Sequence, residues 1–161
     1  MQKRLKNGTA WRHANVGRLL NNAIRRFEER VLELMGAAGY AQTRMAHVNL
    51  TRNLDVAGTR LTELARRAAM SKQAMGELVE QCEVLGLVAR LPDPSDGRAR
   101  IIRFTPAGLD WLDAFREAVD DAEREMRREL GAATMDVLLK ALAAYGARFG
   151  TLNPREDQLE T

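Results

Sequence analysis

The spacing of apolar residues changes from a helical to a strand-like period just after residue 86. One stripe recurs at steps of four, four and three residues, which is typical of a helix: Ala74, Leu78, Cys82 and Leu85. Gly86 follows at the position where a helix commonly ends. Residues 87–91 and 99–105 then have the pattern of strands, separated by a turn-rich segment with two prolines, two aspartates and a glycine. The pattern predicts a helix followed directly by a β-hairpin.

A second short helix is predicted just before this one. Residues 55–58 form a turn, and Thr62 is a suitable N-cap for a helix from Glu63 to about Ala69. Its buried residues would be Leu64, Ala65 and Ala68. The helical pattern breaks at Met70 and restarts with Ser71 as the next cap. Two short helices and a hairpin make a winged helix-turn-helix, which we place in a lobe at residues 43–104.

Long helices are predicted on both sides of this lobe. The first, at 12–36, has an apolar stripe from Val16 to Met35 and ends at Gly36 and Gly39. Thr43 is the expected cap of the helix leading into the lobe. Thr105 and Pro106 start a helix that Gly131 interrupts, and a last helix continues to Phe149, together spanning 106–149. The predicted fold is mainly α with a small β-wing, in a single domain over residues 1–161.

Charge is distributed unevenly along the chain. Residues 1–51 contain nine Lys and Arg against three Asp and Glu, whereas residues 105–130 contain four against eight. A basic first part can meet a polyanion, although Arg-rich helices can also be merely solvated.

The predicted lobe suits duplex DNA. A helix fits the major groove, and its N-terminus offers free N–H groups to phosphates. That end carries Ser71, Lys72 and Gln73. On the hairpin, Arg98 and Arg100 are long cations that could enter a minor groove. Further candidates for phosphate contact are Arg66, Arg67 and Arg90. The alternative for all of these side chains is an ordinary solvated surface.

The sequence from Leu61 to Leu112 resembles the MarR family of bacterial regulators. About a third of the chain carries the resemblance closely. The matching residues are Leu64-Ala65, Ser71-Lys72-Gln73, Leu78-Val79, Gly86-Leu87-Val88, Arg90, Asp93-Pro94-Ser95-Asp96-Gly97-Arg98, Thr105 and Gly108. The flanking long helices fit the family's dimerisation region by pattern only.

The resemblance implies a homodimer with intertwined first and last helices, whose two recognition helices address the half-sites of a pseudo-palindromic operator. It also implies that Asp96 steadies the wing by pairing with an arginine, and that Arg98 reaches the minor groove. Members of the family are often repressors that release DNA when a small, commonly aromatic ligand binds, and others respond to thiol oxidation.

Two residues depart from the family pattern. Glu77 lies on the predicted recognition helix where the family often has Arg or another DNA-friendly residue. A carboxylate can accept from cytosine N4 but repels phosphate. Gly76 precedes it and weakens the helix slightly. An alternative function is therefore a dimeric ligand-binding or interaction protein with the same fold and weakened specific DNA reading.

Other kinds of site have less support in the sequence. Lesser candidates for lining a ligand cavity, each with an alternative place in the core or dimer interface, are Trp11, His13, Arg44, Trp111 and Phe115. Cys82 is the only cysteine, and its place on an apolar stripe favours a buried filler over a redox switch. The two histidines suggest no metal site, no cofactor is expected, and no catalytic motif indicates an enzyme. No apolar run suggests a signal peptide or membrane span, and we expect a cytoplasmic protein.

Overall fold

The computed structural model describes residues 10–147. The chain divides into two compact units, one ending at Asp120 and the other beginning at Asp121. The elements are α1 (Ala10–Ala14), α2 (Val16–Ala37), α3 (Met45–Asn53), β1 (Thr59–Arg60), α4 (Leu61–Arg67), α5 (Lys72–Val84), β2 (Val88–Asp93), β3 (Asp96–Phe104), α6 (Pro106–Leu130) and α7 (Ala132–Gly146). The predicted Phe149 end of the last helix lies outside the described residues.

The first long helix is interrupted near its start. Asn15 has an extended backbone and its side chain accepts a hydrogen bond from the Arg18 N–H at 3.0 Å, so a new helix starts at Val16. In α2, Val31 and Met35 are buried, whereas Val16, Leu19, Leu20 and Ile24 are 41–71% exposed. The predicted apolar stripe is thus present, but only its C-terminal end packs against this chain.

The cap of α3 was predicted wrongly. Arg44, not Thr43, precedes the helix, and its N–H donates to Nδ1 of His47 at 3.2 Å. The Thr43 hydroxyl instead accepts from the indole N–H of Trp111 at 3.0 Å. Burial, with the nearby charge of Arg44, lowers the pKa of His47. A partner 68 positions away in the sequence therefore takes the side chain that local pattern assigns to the cap.

Three short strands form one antiparallel sheet in the order β1-β3-β2. The predicted turn at residues 55–58 is present, with Gly58 at a φ of +103°. A Cβ added there would lie 2.4 Å from Cγ2 of Ile101, so the close approach of the turn to β3 requires glycine. Strand β1 follows at once and was not predicted, because two residues carry no recognisable period.

Helix α4 begins earlier and ends earlier than predicted. Since β1 runs to Arg60, the chain enters the helix directly at Leu61, so Thr62 lies within the first turn and is not its cap. The helix ends at Arg67, and Ala69 adopts a left-handed φ of 52° in the turn before α5. Leu64 and Ala65 are buried as predicted, while Ala68 is only half-buried.

The lobe core lies beneath α5 and the sheet. Leu78 and Cys82 are buried as predicted, but the other inward positions of α5 are Met75 and Val79, with Ala74 and Leu85 half-buried. Ile102 and Phe104 of β3 and Trp111 of α6 complete this core. At Gly108, an added Cβ would lie 1.8 Å from the Leu87 carbonyl oxygen, so the start of α6 packs directly on the backbone just before strand β2.

In the second unit, Met135 of α7 is buried and Arg127 pairs with Asp136 at 2.9 Å. Gly131, at a φ of +85°, separates α6 from α7 as predicted. Much of the remaining apolar surface of α7 is exposed, at Val137, Leu139, Leu142 and Tyr145.

Candidate nucleic-acid interface

The N-terminus of α5 is an exposed, capped helix end. The Ser71 hydroxyl accepts from the Ala74 N–H at 3.1 Å, which confirms the predicted cap. Lys72 and Gln73 follow on the exposed side. The first four backbone N–H groups of a helix have no backbone partner within it, and here the Ser71 hydroxyl satisfies one of them. The aligned peptide dipoles favour an anion at the same end. This end of the helix can accept a phosphate without further rearrangement.

One exposed face continues along α5 beyond its first turn. Gln73, Glu77, Glu80 and Val84 lie at steps of four, three and four residues, and all are exposed. Nε2 of Gln73 donates to Oε1 of Glu77 at 3.3 Å, so the two side chains form a polar pair. The opposite side of the helix is buried in the core. The helix therefore presents its polar face outward, as recognition of a groove requires.

The wing, formed by β2, β3 and the turn that joins them, lies beside α5. Its strands are longer than predicted, because β2 reaches Asp93 and β3 starts at Asp96. A register irregularity lies between Pro92 and Asp93, and Asp93 is paired with Asp96. The tip is consequently a tight turn rather than the seven-residue loop expected from its prolines.

The wing tip is tied to β1 through a buried carboxylate that the sequence did not single out. Asp93 is 5% exposed and pairs with Arg60, with Nε and Oδ2 at 2.5 Å. Its other oxygen accepts from both the backbone N–H and the hydroxyl of Ser95, each at 2.8 Å. These Ser95 bonds, together with Arg60, hold the pKa of Asp93 at about 2. The separation of 33 residues between Arg60 and Asp93 explains why no local pattern revealed the pair.

The wing-stabilising role of Asp96 stays a prediction. Its side chain is exposed at the first position of β3. The backbone of Arg98 also lies in β3, but its side chain falls outside the described part of the structure, so its groove contact is equally untested. Arg100 is exposed on the same strand, where its backbone is paired with Pro92.

Arg66 and Arg67 both bind the carboxylate of Glu63. Arg66 does so with Nε and Nη2 at 2.8 and 2.6 Å, and Nε of Arg67 lies at 2.9 Å. These bonds hold the pKa of Glu63 at about 2. Arg67 also donates to Asp55 at 2.9 Å, which lowers the pKa of Asp55. Arg67 thus anchors α4 to the preceding turn, whereas Arg66 remains 73% exposed at the surface.

Arg90 joins the wing to α5. Its Nη2 donates to the Gly76 carbonyl at 2.9 Å, and its backbone N–H donates to Oε1 of Glu83 at 3.1 Å. The guanidinium also lies 3.3 Å from the Glu83 carboxylate. Arg90 therefore holds the first strand of the wing against α5, a role that its residue type alone did not reveal.

A cleft of about 360 Å³ opens on another side of the first unit. Its lining residues come from the α2–α3 connection, the end of α5 and the start of α6: residues 39–43, Leu85, Leu87, Ala107, Asp110 and Trp111. Phe115 stacks on Trp111 with ring centroids 5.3 Å apart. The lining does not include Trp11, His13 or Arg44, whose side chains are exposed. The five lesser candidates are thus only partly brought together.

Cys82 is fully buried, and burial raises the pKa of its thiol to about 11. Among residues 10–147, no group of three or more His, Cys, Asp or Glu side chains is placed to hold a metal ion. Within the same residues, no helix is both long and apolar enough to cross a membrane.

Comparison with known proteins agrees with this architecture. The model of the MarR family matches residues 49–99, which contain α4, α5 and most of the wing. The resemblance to the MarR family is confirmed. No curated protein matches the chain.

Solved structures of MarR-type regulators share the fold. The reduced form of MarR from E. coli matches with a TM-score of 0.70 at 20% identity, over 82% of this chain and 96% of that one. The repressor CouR bound to a 23-mer DNA duplex matches with 0.64 at 24% identity, over 81% and 92%. CouR from Rhodococcus jostii RHA1 bound to p-coumaroyl-CoA matches with 0.64 at 21%, over 86% and 94%. The predicted fold, mainly α with a winged helix-turn-helix, is thereby confirmed.

Proposed function

We propose that this chain is a homodimeric, DNA-binding transcription regulator of MarR type, which acts as a repressor on a pseudo-palindromic operator. The observation that carries the proposal is the pairing of a capped, outward-facing helix α5 with a wing clamped beside it. Helix and wing can meet a major groove and the neighbouring minor groove of one duplex. The CouR complex with duplex DNA supports this arrangement in a protein of the same fold.

Two helices support dimerisation. The exposed apolar residues of α2 and of α7 are grouped on each helix, unlike the single hydrophobic residues that are scattered over most protein surfaces. A second copy of the chain would cover them and supply the second recognition helix. Two helices from a symmetric dimer would address half-sites about one turn of DNA apart.

The cleft beside Trp111 is proposed as part of a site for a small aromatic effector. Trp111, on which Phe115 stacks, and Leu85 and Leu87 provide apolar lining. Asp110 and Thr43 bring polar groups to the same cleft. The complex of CouR with p-coumaroyl-CoA is an example of ligand binding in this fold. We place the protein in the cytoplasm, where DNA is accessible, and assign no catalytic step to it.

The direct test is binding of the full chain to duplexes from its own upstream region, measured by fluorescence anisotropy. Affinity should fall steeply between about 50 and 200 mM salt, because phosphate contacts release counterions. Arg98→Ala should weaken binding, while the matched control Arg116→Ala, which removes an exposed cation from α6, should not. Salt-independent binding, or none to any fragment, would contradict the regulator and favour the interaction protein.

Effector binding is tested separately by thermal shift with small aromatic acids and coenzyme A thioesters. A ligand that binds only the native state raises the melting temperature in a concentration-dependent way. Asp110→Ala should change the affinity of a ligand bound in the cleft. If shifts are equal for this variant and the parent with every ligand, the effector site lies elsewhere.

A further inference from the structure

The outward face of α5 is unusual for a surface that approaches DNA. Its exposed charged residues are the cation Lys72 at one end and the carboxylates Glu77 and Glu80 farther along. Phosphates surround a helix in the major groove and repel a carboxylate. A carboxylate is favourable only where it meets a hydrogen-bond donor. In the major groove those donors are the amino groups of cytosine N4 and adenine N6.

Glu77 has a partner that restricts which way it points. Gln73, one helical turn earlier, donates from Nε2 to Oε1 of Glu77 at 3.3 Å. The bond occupies one side of the carboxylate and leaves its remaining lone pairs open to another donor. It also fixes the Gln73 amide, which keeps its second N–H and its carbonyl oxygen available. Those two groups are the fork that matches N6 and N7 of adenine.

The backbone beside Glu77 allows close approach. Gly76 carries no side chain, and apart from its own helix backbone and chain neighbours no heavy atom lies within 4 Å of a Cβ added there. Its carbonyl accepts from Arg90 at 2.9 Å, which fixes this part of the helix against the wing. The Gln73 and Glu77 positions are about 6 Å apart along the helix axis, since each residue rises about 1.5 Å. This is close to two base steps of B-DNA at about 3.4 Å each.

We propose that Gln73 and Glu77 act as one base-reading pair, in which Glu77 selects a cytosine in each half-site and holds Gln73 for an adenine within two base pairs of it. The inference rests on the proposed DNA-binding function and adds the identity of two bases and the residues that select them. In this pair Glu77 is a specificity-determining residue whose phosphate repulsion disfavours duplexes that lack the cytosine.

The test begins with selection of binding sites from a randomised duplex pool by the full-length protein. Competition with single-base variants of the selected site then gives the preference of each variant protein at every position. The variants are Glu77→Ala, Glu77→Gln and Gln73→Ala. Glu80→Ala is the control, because it removes the same charge from the same exposed face one turn later.

For the parent protein we expect about a tenfold loss of affinity when the cytosine of a half-site is replaced, which is typical of a good base contact. Glu77→Ala should reduce that preference to within about twofold, and Glu77→Gln should move it toward adenine. Gln73→Ala should remove the adenine preference, and Glu77→Ala should weaken it as well. Glu80→Ala should leave both preferences in place.

Two results would overturn the inference. The first is that Glu77→Ala changes affinity equally for all sequences, which would make Glu77 a source of repulsion without base selection. The second is that Glu80→Ala alters the profile in the same way, which would make the effect one of helix charge. In both cases the parent still binds DNA, whereas a parent that binds no duplex refutes the proposed function itself. Melting temperatures of the variants separate these effects from a loss of helix stability.

Discussion

Helices α2 and α5 both carry an apolar stripe, but only that of α5 is covered by its own chain. Met75, Leu78, Val79 and Cys82 of α5 are all buried beneath the sheet and neighbouring helices. In α2 the first half of the stripe is exposed, and only Val31 and Met35 are buried. Hydrophobic periodicity therefore specifies the helix in both cases without saying what covers it. The core beneath α5 is covered within one chain, whereas the first half of the α2 stripe is left exposed.

The largest effect is expected from a charge placed on the uncovered stripe. Ile24→Glu puts a carboxylate where the proposed partner chain packs, and desolvating that charge costs several kcal/mol. We expect dimer dissociation to increase at least about 100-fold. Light scattering across a concentration series measures it.

Asn22→Glu is the matched control for this charge, since Asn22 lies on the opposite, polar side of α2. It should leave the dimer intact. A parent that is monomeric at micromolar concentration, or an Ile24→Glu variant as dimeric as the control, would contradict the difference drawn between the two helices.

A large but local effect is expected in the covered core. Ile102→Ala removes a fully buried side chain from β3 and should destabilise the lobe by about 2–5 kcal/mol. Because that core is complete within one chain, the loss should be the same at all protein concentrations. Urea unfolding at two concentrations tests this, with Leu20→Ala as the comparison. The Leu20 variant should lose stability only at concentrations where dimers form. If the stability losses of Ile102→Ala and Leu20→Ala depended equally on concentration, the difference drawn between α5 and α2 would be wrong.

A smaller effect is expected from acid at the wing. The pKa of Asp93 is lowered to about 2 in the folded protein, below the usual unfolded value of about 3.9. Its contribution to stability is therefore complete above about pH 4 and is lost as the pH falls through about 2. Asp93→Asn should melt below the parent at pH 6, and the gap should close on acidification.

The exposed α6 residue Asp113 provides the control for this titration, because its carboxylate lies 3.8 Å from Arg116 at the surface. Asp113→Asn should show little difference from the parent at either pH. A difference in melting temperature between Asp93→Asn and the parent that stays constant down to pH 2 would contradict this. It would show that the contacts of Asp93 with Arg60 and Ser95 do not depend on the carboxylate charge.

The smallest effect is expected at Cys82. Burial raises the pKa of its thiol to about 11, well above the usual value for a cysteine, so little thiolate is present at neutral pH. A disulfide reagent should label the native protein at least about 100-fold more slowly than protein unfolded in urea. Rapid labelling of the native state would mean that the core beneath α5 opens readily. The stripe of α5 would then be less well covered than its contrast with α2 assumes.

The elements that were predicted well are those whose signals are local. The Ser71 cap, the end of α5 before Gly86, the hairpin and the start of α6 depend on residues a few positions apart. The errors arose where a distant residue decides the outcome. The indole of Trp111 donates to the hydroxyl of Thr43, and β3 pairs with the two residues of β1. As a result α3 and α4 start at other residues than those predicted.

The candidate site shows the same division. Residue type identified Lys72, Gln73 and Arg100 as exposed polar groups near α5 or on the wing. It could not reveal that Asp93 is buried against Arg60 or that Arg67 is held by two carboxylates. Those arrangements depend on strand pairing and on the turn at Gly58, which only the folded chain brings together.

The contacts of Arg90 give the lobe a mechanical property. The Arg90 side chain donates to the Gly76 carbonyl in the middle of α5, and the Arg90 backbone N–H donates to the side chain of Glu83 near the end of that helix. Helix and wing are consequently joined at two points, which restrains their separation. If the lobe binds duplex DNA as proposed, these two bonds limit how far helix and wing can adjust independently, so a narrowed or widened groove should weaken binding even where every contacted base is correct.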